Sequence, residues 1–225
     1  MTPRLLPRAA AALLGLLAPL CAGCSSGTAP APSASSAVAP PPSTTAALPS
    51  SAAELEQLLV EQVPSGLPRV PDDELDPPAG EKTIDDVARY GDDAAEQRTV
   101  LQHYGYQRGW ERFWRSDAAL TSVFVDQFSD ADGARDYAED LARNDAEYYD
   151  GELDRSPADL PEGCVQMTRD DAAPGQGIAG PSAFSWCAAG VFTVAVAAVA
   201  GSPADARAEL AAVTAAQLGR LPTGR

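Results

Sequence analysis

A nine-residue run near the C-terminal end, residues 191–199, constrains the fold more than any other stretch. Apart from Thr193, its residues are Val, Phe or Ala, so both faces of a strand formed by this run would be apolar. A strand that is apolar on both faces has to be covered on both faces, whereas a run of this length does not cross a bilayer. The run therefore predicts a central strand in a sheet that helices cover.

The rest of residues 83–221 predicts an α+β domain in which a mainly antiparallel sheet packs with helices, in the order αββα-βββα. Gly91 is expected to bend or break the first helix, and Gly190 to form the last hairpin turn. A short helix at 52–63 precedes the domain, and the proline-rich residues 64–81 are expected to form an irregular loop. The predicted helices cover residues 83–104, 130–144 and 203–219, and the predicted strands cover 106–115, 120–128, 164–169, 182–187 and 191–200.

The stretch from Ser25 to Ser51 contains mainly Ser, Ala, Pro and Thr and no charged residue. Such a segment has too few large apolar side chains to form a core, so we expect a disordered tether. Residues 1–23 combine Arg4 and Arg8 with a short apolar run, which is typical of a secretion signal. The predicted organisation is a signal peptide at 1–23, the tether at 24–52 and one globular domain at 53–225.

Two small residues, Ala22 and Gly23, directly precede Cys24. This arrangement resembles the lipobox of bacterial lipoproteins, and the resemblance implies cleavage before Cys24 and lipidation of its thiol. Cys21 stands where that box usually carries Leu, and the bulky Leu20 before it makes Cys21 a poor cleavage site. The alternative is an ordinary secretory signal with an incidental cysteine. The resemblance implies a protein anchored by lipid to the extracytoplasmic face of the cell membrane.

A second resemblance involves three stretches: residues 104–108, residues 128–134 and the start of the final strand at 190–192. These look like uncharacterised actinobacterial cell-envelope lipoproteins, some of which are similar to PsbP-like α/β sandwich domains. The resemblance supports the predicted fold. It includes no catalytic signature, so it implies no reaction and no functional residues.

The net charge of the chain is −16, and it becomes −18 if residues 1–23 are removed, because Arg4 and Arg8 leave and no acid does. A nucleic-acid partner needs a basic surface that releases counterions from phosphates, and this protein would repel them. We therefore expect no nucleic-acid partner. Attachment to the membrane would come from the lipid at Cys24.

Cys164 and Cys187 are the cysteines that remain once Cys21 is removed and Cys24 is modified. They fall in predicted neighbouring strands, and export delivers the domain to an oxidising compartment. A Cys164–Cys187 disulfide is expected, with two free thiols as the alternative.

The strand at 106–115 carries aromatic and basic side chains in strict alternation. Two guanidinium groups disfavour a buried face and three aromatic rings disfavour a solvated one, so the pattern predicts a partly exposed surface. Stacking of arginine on the rings explains it without a ligand, and contact with an anionic or glycan-bearing envelope component is the functional alternative. The residues of this possible binding surface are Tyr106, Arg108, Trp110, Arg112 and Trp114.

The sequence contains few candidate catalytic residues. His103 is the one histidine, and its place near a predicted helix end is explained by the helix dipole. Gly180-Pro181-Ser182 approaches a nucleophile elbow, but Phe184 replaces the glycine that the turn requires. No phosphate-binding loop or metal-ligand set is present in the sequence, so we predict no catalytic residue, no metal and no cofactor.

Two functional hypotheses follow. The first is a noncatalytic lipoprotein that binds a ligand or a protein partner outside the membrane. The second is a carboxylate-based hydrolase of envelope polymers, since the chain is rich in Asp and Glu.

Overall fold

The structure is a computed structural model and describes residues 47–222. Its centre is a six-stranded sheet in which every neighbouring pair is antiparallel, in the order β1-β2-β3-β6-β5-β4. The strands are β1 Gly80–Lys82, β2 Tyr106–Arg115, β3 Leu120–Phe128, β4 Cys164–Arg169, β5 Ser182–Ala189 and β6 Phe192–Val199. The prediction of an α+β fold with a mainly antiparallel sheet is confirmed.

Five α-helices accompany the sheet in the described part of the chain. They are α1 Ala52–Glu56, α2 Ile84–Ala88, α3 Ala94–His103, α4 Ala131–Tyr149 and α5 Pro203–Leu218. Polar caps define where they begin: Thr83 and Asp86 form a capping box on α2, Asp130 caps α4, and Ser202 caps α5 just before Pro203. Within residues 47–222, no helix has both the length and the apolar character that crossing a membrane requires.

Helices cover both faces of the sheet, which divides the core into two layers. The layer under α1 and α5, here the α5 layer, includes Leu55, Trp114 and Leu210. The layer under α2, α3 and α4, here the α4 layer, includes Phe128 and Trp186. The two hydrophobic clusters therefore share the sheet as their common wall.

Strand β6 lies between β3 and β5 in the interior of the sheet. Val194 and Val196 pack into the α5 layer, whereas Ala195 and Ala197 contact the α4 layer. The prediction that the run at 191–199 forms a central strand covered on both faces is confirmed. Gly190 forms the turn before it with a positive φ of 58°, which glycine adopts without strain.

The β4–β5 pair carries the disulfide. Cys164 and Cys187 are direct cross-strand partners, and their sulfur atoms are bonded. Both residues are buried in the α5 layer. The expected disulfide is thus present in the structure.

The predicted helix at 52–63 is shorter than expected, because α1 ends at Glu56. The backbone beyond it bonds to side chains instead of continuing the helix. Gln217 donates to the Leu58 carbonyl oxygen at 2.9 Å and accepts from the Val60 amide at 3.0 Å. Leu55, Leu59 and Val63 are buried and Leu58 is partly buried, which explains why their spacing resembles a longer helix.

Two other elements differ from the prediction. Strand β1 lies in the stretch expected to be a loop, where three residues pair with β2 and are too few to show alternation. Helix α4 continues five residues past the predicted end at Asn144, because Asp145 and Tyr149 pack against the sheet. Asp150 ends it in the left-handed conformation, with a φ of 53°. The expected break at Gly91 is confirmed, since α2 and α3 are separate helices.

Candidate functional site

A partly enclosed pocket lies between α4 and the sheet, and we call it the α4 pocket. Its volume is about 40 Å³, which is room for a few water molecules. Its lining is mainly apolar, as in small-molecule sites generally. The described residues that line it are Ser122, Phe124, Leu141, Asp145, Tyr149, Phe184, Trp186, Ala195, Val196 and Ala197.

The floor of the α4 pocket follows from the register of three strands. Ala195 pairs with Phe124 on one side and with Trp186 on the other. Ala197 pairs in the same way with Ser122 and Phe184. Because small side chains on β6 stand between larger ones on β3 and β5, a trough runs along β6 beneath the helix.

The roof of the pocket comes from one stripe of α4. Leu141, Asp145 and Tyr149 are spaced four residues apart, which places them on one face of the helix. All three are buried. A carboxylate therefore occupies the middle of an otherwise apolar stripe directly above the trough.

Three aromatic rings form one wall. The rings of Tyr149 and Phe184 are stacked at a centroid distance of 5.2 Å, and those of Phe184 and Trp186 at 6.1 Å. Neighbouring rings lie within 22° of parallel, which is consistent with offset stacking. The wall is held by contacts between elements, since Tyr149 lies on α4 and the other two lie on β5.

The polar groups of the lining side chains include the Asp145 carboxyl group and the Ser122 hydroxyl. Asp145 is 8% exposed and accepts a hydrogen bond of 3.2 Å from the Trp186 indole nitrogen. The Ser122 hydroxyl is fully buried and has no hydrogen-bond partner within the described residues. Burial, and then the charge of Asp145, raises the pKa of Tyr149 well above its usual value near 10.

The five side chains predicted as a binding surface do not share one face. A β-bulge shifts the register of β2 between Tyr106 and Arg108. Tyr106 consequently packs into the α4 layer, where its ring contacts Phe128, whereas Trp110 and Trp114 pack into the α5 layer. Strict alternation along the strand, on which that prediction depended, holds only after the bulge.

Burial also separates the members of this group. Arg112 and Trp114 are 3% and 1% exposed, under the segment that follows α1. Arg112 donates to the Val60 carbonyl oxygen at 2.8 Å and forms an ion pair with Glu56 at 3.2 Å. Arg108 and Trp110 are half-buried. Binding by this strand stays a prediction, and the side chains accessible for it are these two.

Two open clefts flank α4. One, of about 500 Å³, is lined by acidic side chains of the loop after α4 and of the end of β4, among them Asp150, Glu152 and Asp170. The other, of about 550 Å³, lies between α3 and α4 and contains His103, which is exposed at the end of α3. Within residues 47–222, no cluster of three or more His, Cys, Asp or Glu side chains is arranged to hold a metal ion.

The second cleft contains the half-buried phenol of Tyr104. The Tyr104 hydroxyl donates to the Asp140 carboxylate, and Asp140 also pairs with Arg143. Burial, and then the hydrogen bond to Asp140, raises the pKa of Tyr104 above its usual range. The phenol therefore stays protonated, and His103 beside it contacts the Tyr104 ring at 5.9 Å.

The sequence patterns did not predict the α4 pocket. Asp145 and Tyr149 lie beyond the predicted end of the helix, so the acidic residue in the apolar stripe was not considered. The alternation of Ala with larger residues on β6 was visible, but the trough depends on which residues pair across the strands. Cys24, the predicted lipidation site, lies outside the described residues.

No protein-family model and no curated protein matches the sequence. Among solved structures, the chain has a partial likeness to the extracellular domain of PknH from Mycobacterium tuberculosis. The identity is 15%, the match covers 55% of this chain and 70% of that one, and the TM-score is 0.37. A likeness at this level supports no inference about function. The predicted likeness to envelope lipoproteins and PsbP-like domains stays a prediction.

Proposed function

We propose that the protein is a lipid-anchored extracytoplasmic domain that binds a small ligand in the α4 pocket without chemically changing it. The binding function depends on one observation: a mainly apolar pocket, walled by three aromatic rings, contains a buried carboxylate and a buried hydroxyl. Apolar lining with a few convergent polar groups is the usual composition of a ligand site.

The extracytoplasmic location is supported by two independent features. The Ala22-Gly23-Cys24 stretch resembles a lipobox, and the Cys164–Cys187 disulfide is the kind of bond that forms in oxidising compartments. The acidic character of the chain requires that anchoring come from lipid and not from a basic surface.

Filling the trough tests the binding function. Ala197→Val adds two methyl groups to the floor of the pocket, and valine is favourable in a strand. We expect the native chain to bind 1-butanol, a small amphiphilic probe, at millimolar concentration in saturation-transfer NMR. The Ala197→Val chain should lose at least three-quarters of that signal.

The control is Ala188→Val, which adds the same group to β5 outside the pocket. This variant should keep the native signal. Equal binding by Ala197→Val and the native chain would contradict the α4 pocket as the site. The hydrolase alternative makes a different prediction, because soluble fragments would then appear when the chain is incubated with envelope glycans.

A further inference from the structure

We propose that the α4 pocket binds the terminal hydroxyl group of a neutral amphiphile, a primary alcohol, and that Ser122 selects this class of ligand. The ligand hydroxyl would bond to the Ser122 hydroxyl, and the first carbon atoms of the ligand would contact the apolar lining. The inference rests on the proposed binding function and names its ligand class. Asp145 has no part in it, since the Trp186 indole already donates to its carboxyl group at 3.2 Å.

The Ser122 hydroxyl is the anchor of the site. Ser122 is fully buried and lines the pocket, and its hydroxyl has no hydrogen-bond partner within residues 47–222. Most buried polar side chains have a partner, because a hydrogen bond lost on burial is costly. Two other buried hydroxyls do: Ser185 bonds to Thr214 at 2.9 Å, and Thr193 donates to a main-chain carbonyl oxygen at 2.6 Å. A ligand that supplies a partner to Ser122 recovers the free energy that its hydroxyl loses on burial.

The partner that fits Ser122 is a neutral hydroxyl group. A serine hydroxyl both donates and accepts, and so does an alcohol, so either of the two can be the donor. The lining of the pocket is mainly apolar, and a charged head group would lose its hydration there. A carbonyl or ether oxygen accepts from Ser122 but offers no donor to its lone pairs. The chemistry of the site therefore favours an alcohol over an ion, an ether or a ketone.

Size restricts the part of the ligand that enters the pocket. The volume of about 40 Å³ holds a few non-hydrogen atoms, since one water molecule needs roughly 10–15 Å³. A terminal CH₂–OH group fits this space, whereas a branched head group is too large. A ligand body that leaves the pocket past Phe124 meets Phe113, which is half-buried and whose ring contacts that of Phe124 at 5.4 Å. The two rings provide an apolar surface for the rest of the chain.

The test compares 1-butanol with 1-fluorobutane on the purified full chain. The two probes have equal length, and fluorine replaces the hydroxyl with an atom of similar size that donates no hydrogen bond. The readout is the NMR shift of the indole N–H of Trp186, which lines the pocket and is identified by its loss in Trp186→Phe. Burial of apolar surface alone would favour 1-fluorobutane, the less polar probe. We expect 1-butanol to bind more tightly, because it gives Ser122 a partner.

One variant and a matched control localise the preference. Ser122→Ala removes the hydroxyl, so 1-butanol binding should weaken about fivefold, the free energy of one hydrogen bond, and 1-fluorobutane binding should not change. The order of the two probes should then reverse. Ser182→Ala is the control, because Ser182 is equally buried and its hydroxyl also has no partner within the described residues, but it does not line the pocket. This control should keep both native affinities.

Urea denaturation provides a second readout that needs no ligand. The midpoint of Ser122→Ala should equal or exceed the native one, since removal of a hydroxyl without a partner breaks no hydrogen bond. A clearly lower midpoint would mean that Ser122 is already bonded, to protein or to an ordered water, and would overturn the inference.

The outcomes separate this inference from the proposed function. If 1-fluorobutane binds the native chain as tightly as 1-butanol, or if Ser122→Ala keeps the native affinity for 1-butanol, the hydroxyl preference is overturned and the pocket remains a ligand site. If neither probe shifts the Trp186 signal, both are overturned. The comparison of the probes on the native chain decides the question even if a variant does not fold.

Discussion

At the scale of single residues, Arg112 shows how a charged side chain can be structural. Its guanidinium group bonds to the Val60 carbonyl oxygen at 2.8 Å and to Glu56 at 3.2 Å, so it ties the segment after α1 to the sheet. Burial lowers the pKa of Arg112, and these oxygen atoms accept from both of its terminal guanidinium nitrogens. The residue therefore stabilises the α5 layer from within.

Replacing Arg112 with alanine should lower the free energy of unfolding by about 2 kcal/mol, because a buried carbonyl oxygen loses its charged donor. Urea denaturation monitored by circular dichroism measures the change. Arg108→Ala is the control at a half-buried position of the same strand, and it should cost less than about 0.5 kcal/mol. An Arg112→Ala chain as stable as the native one would contradict this structural role and would leave the side chain available for binding.

The alternation of β2 shows what residue types can and cannot predict. Aromatic and basic side chains at every second position correctly indicate a strand. They do not indicate the bulge that sends Tyr106 to the opposite layer, since a bulge is set by pairing with β3. Residue types alone also suggested exposure for Arg112, because the segment that covers it is distant in sequence.

At the scale of elements, the β4–β5 hairpin depends on its disulfide. Cys164 and Cys187 are 23 residues apart, and the connection between β4 and β5 contains a 3₁₀ turn at Pro174–Gln176. Closing a loop of this length restricts the unfolded chain and stabilises the fold by about 3 kcal/mol in the chain-entropy model.

Replacing both cysteines with alanine should therefore lower the free energy of unfolding by about 3 kcal/mol, as measured by urea denaturation. The reduced native chain is the matched control and should lose a similar amount. Mass measurement after alkylation without reductant tests whether the bond exists. If the peptides with Cys164 and Cys187 both carry the label, the bond is absent and the prediction is wrong.

Most elements were predictable, and the ends of elements were not. The hairpin of β2 and β3, the central β6 and the Pro203 start of α5 follow from local patterns of apolar residues and turn signals. The early end of α1 follows from hydrogen bonds to Gln217, which is 157 residues beyond Val60. The trough of the α4 pocket likewise depends on which residues pair across the strands, and local periodicity does not predict that pairing.

At the scale of the whole molecule, the proposed function combines a ligand site with an extracytoplasmic location. The chain is acidic overall, and the α4 pocket that we propose as the ligand site contains a buried carboxyl group. The predicted tether at 24–52 would hold the domain away from the membrane. This arrangement requires an anchor at Cys24.

Lipidation of Cys24 is the central claim, and membrane fractionation with mass analysis of the N-terminal peptide tests it most directly. We predict that the native chain fractionates with membranes and that its N-terminal peptide begins at Cys24 with the mass of attached acyl chains. Cys24→Ala should move the protein to the soluble fraction, whereas the control Cys21→Ala should leave it membrane-bound. A Cys24→Ala chain that stays with the membranes, with no change in the mass of its N-terminal peptide, would contradict the account.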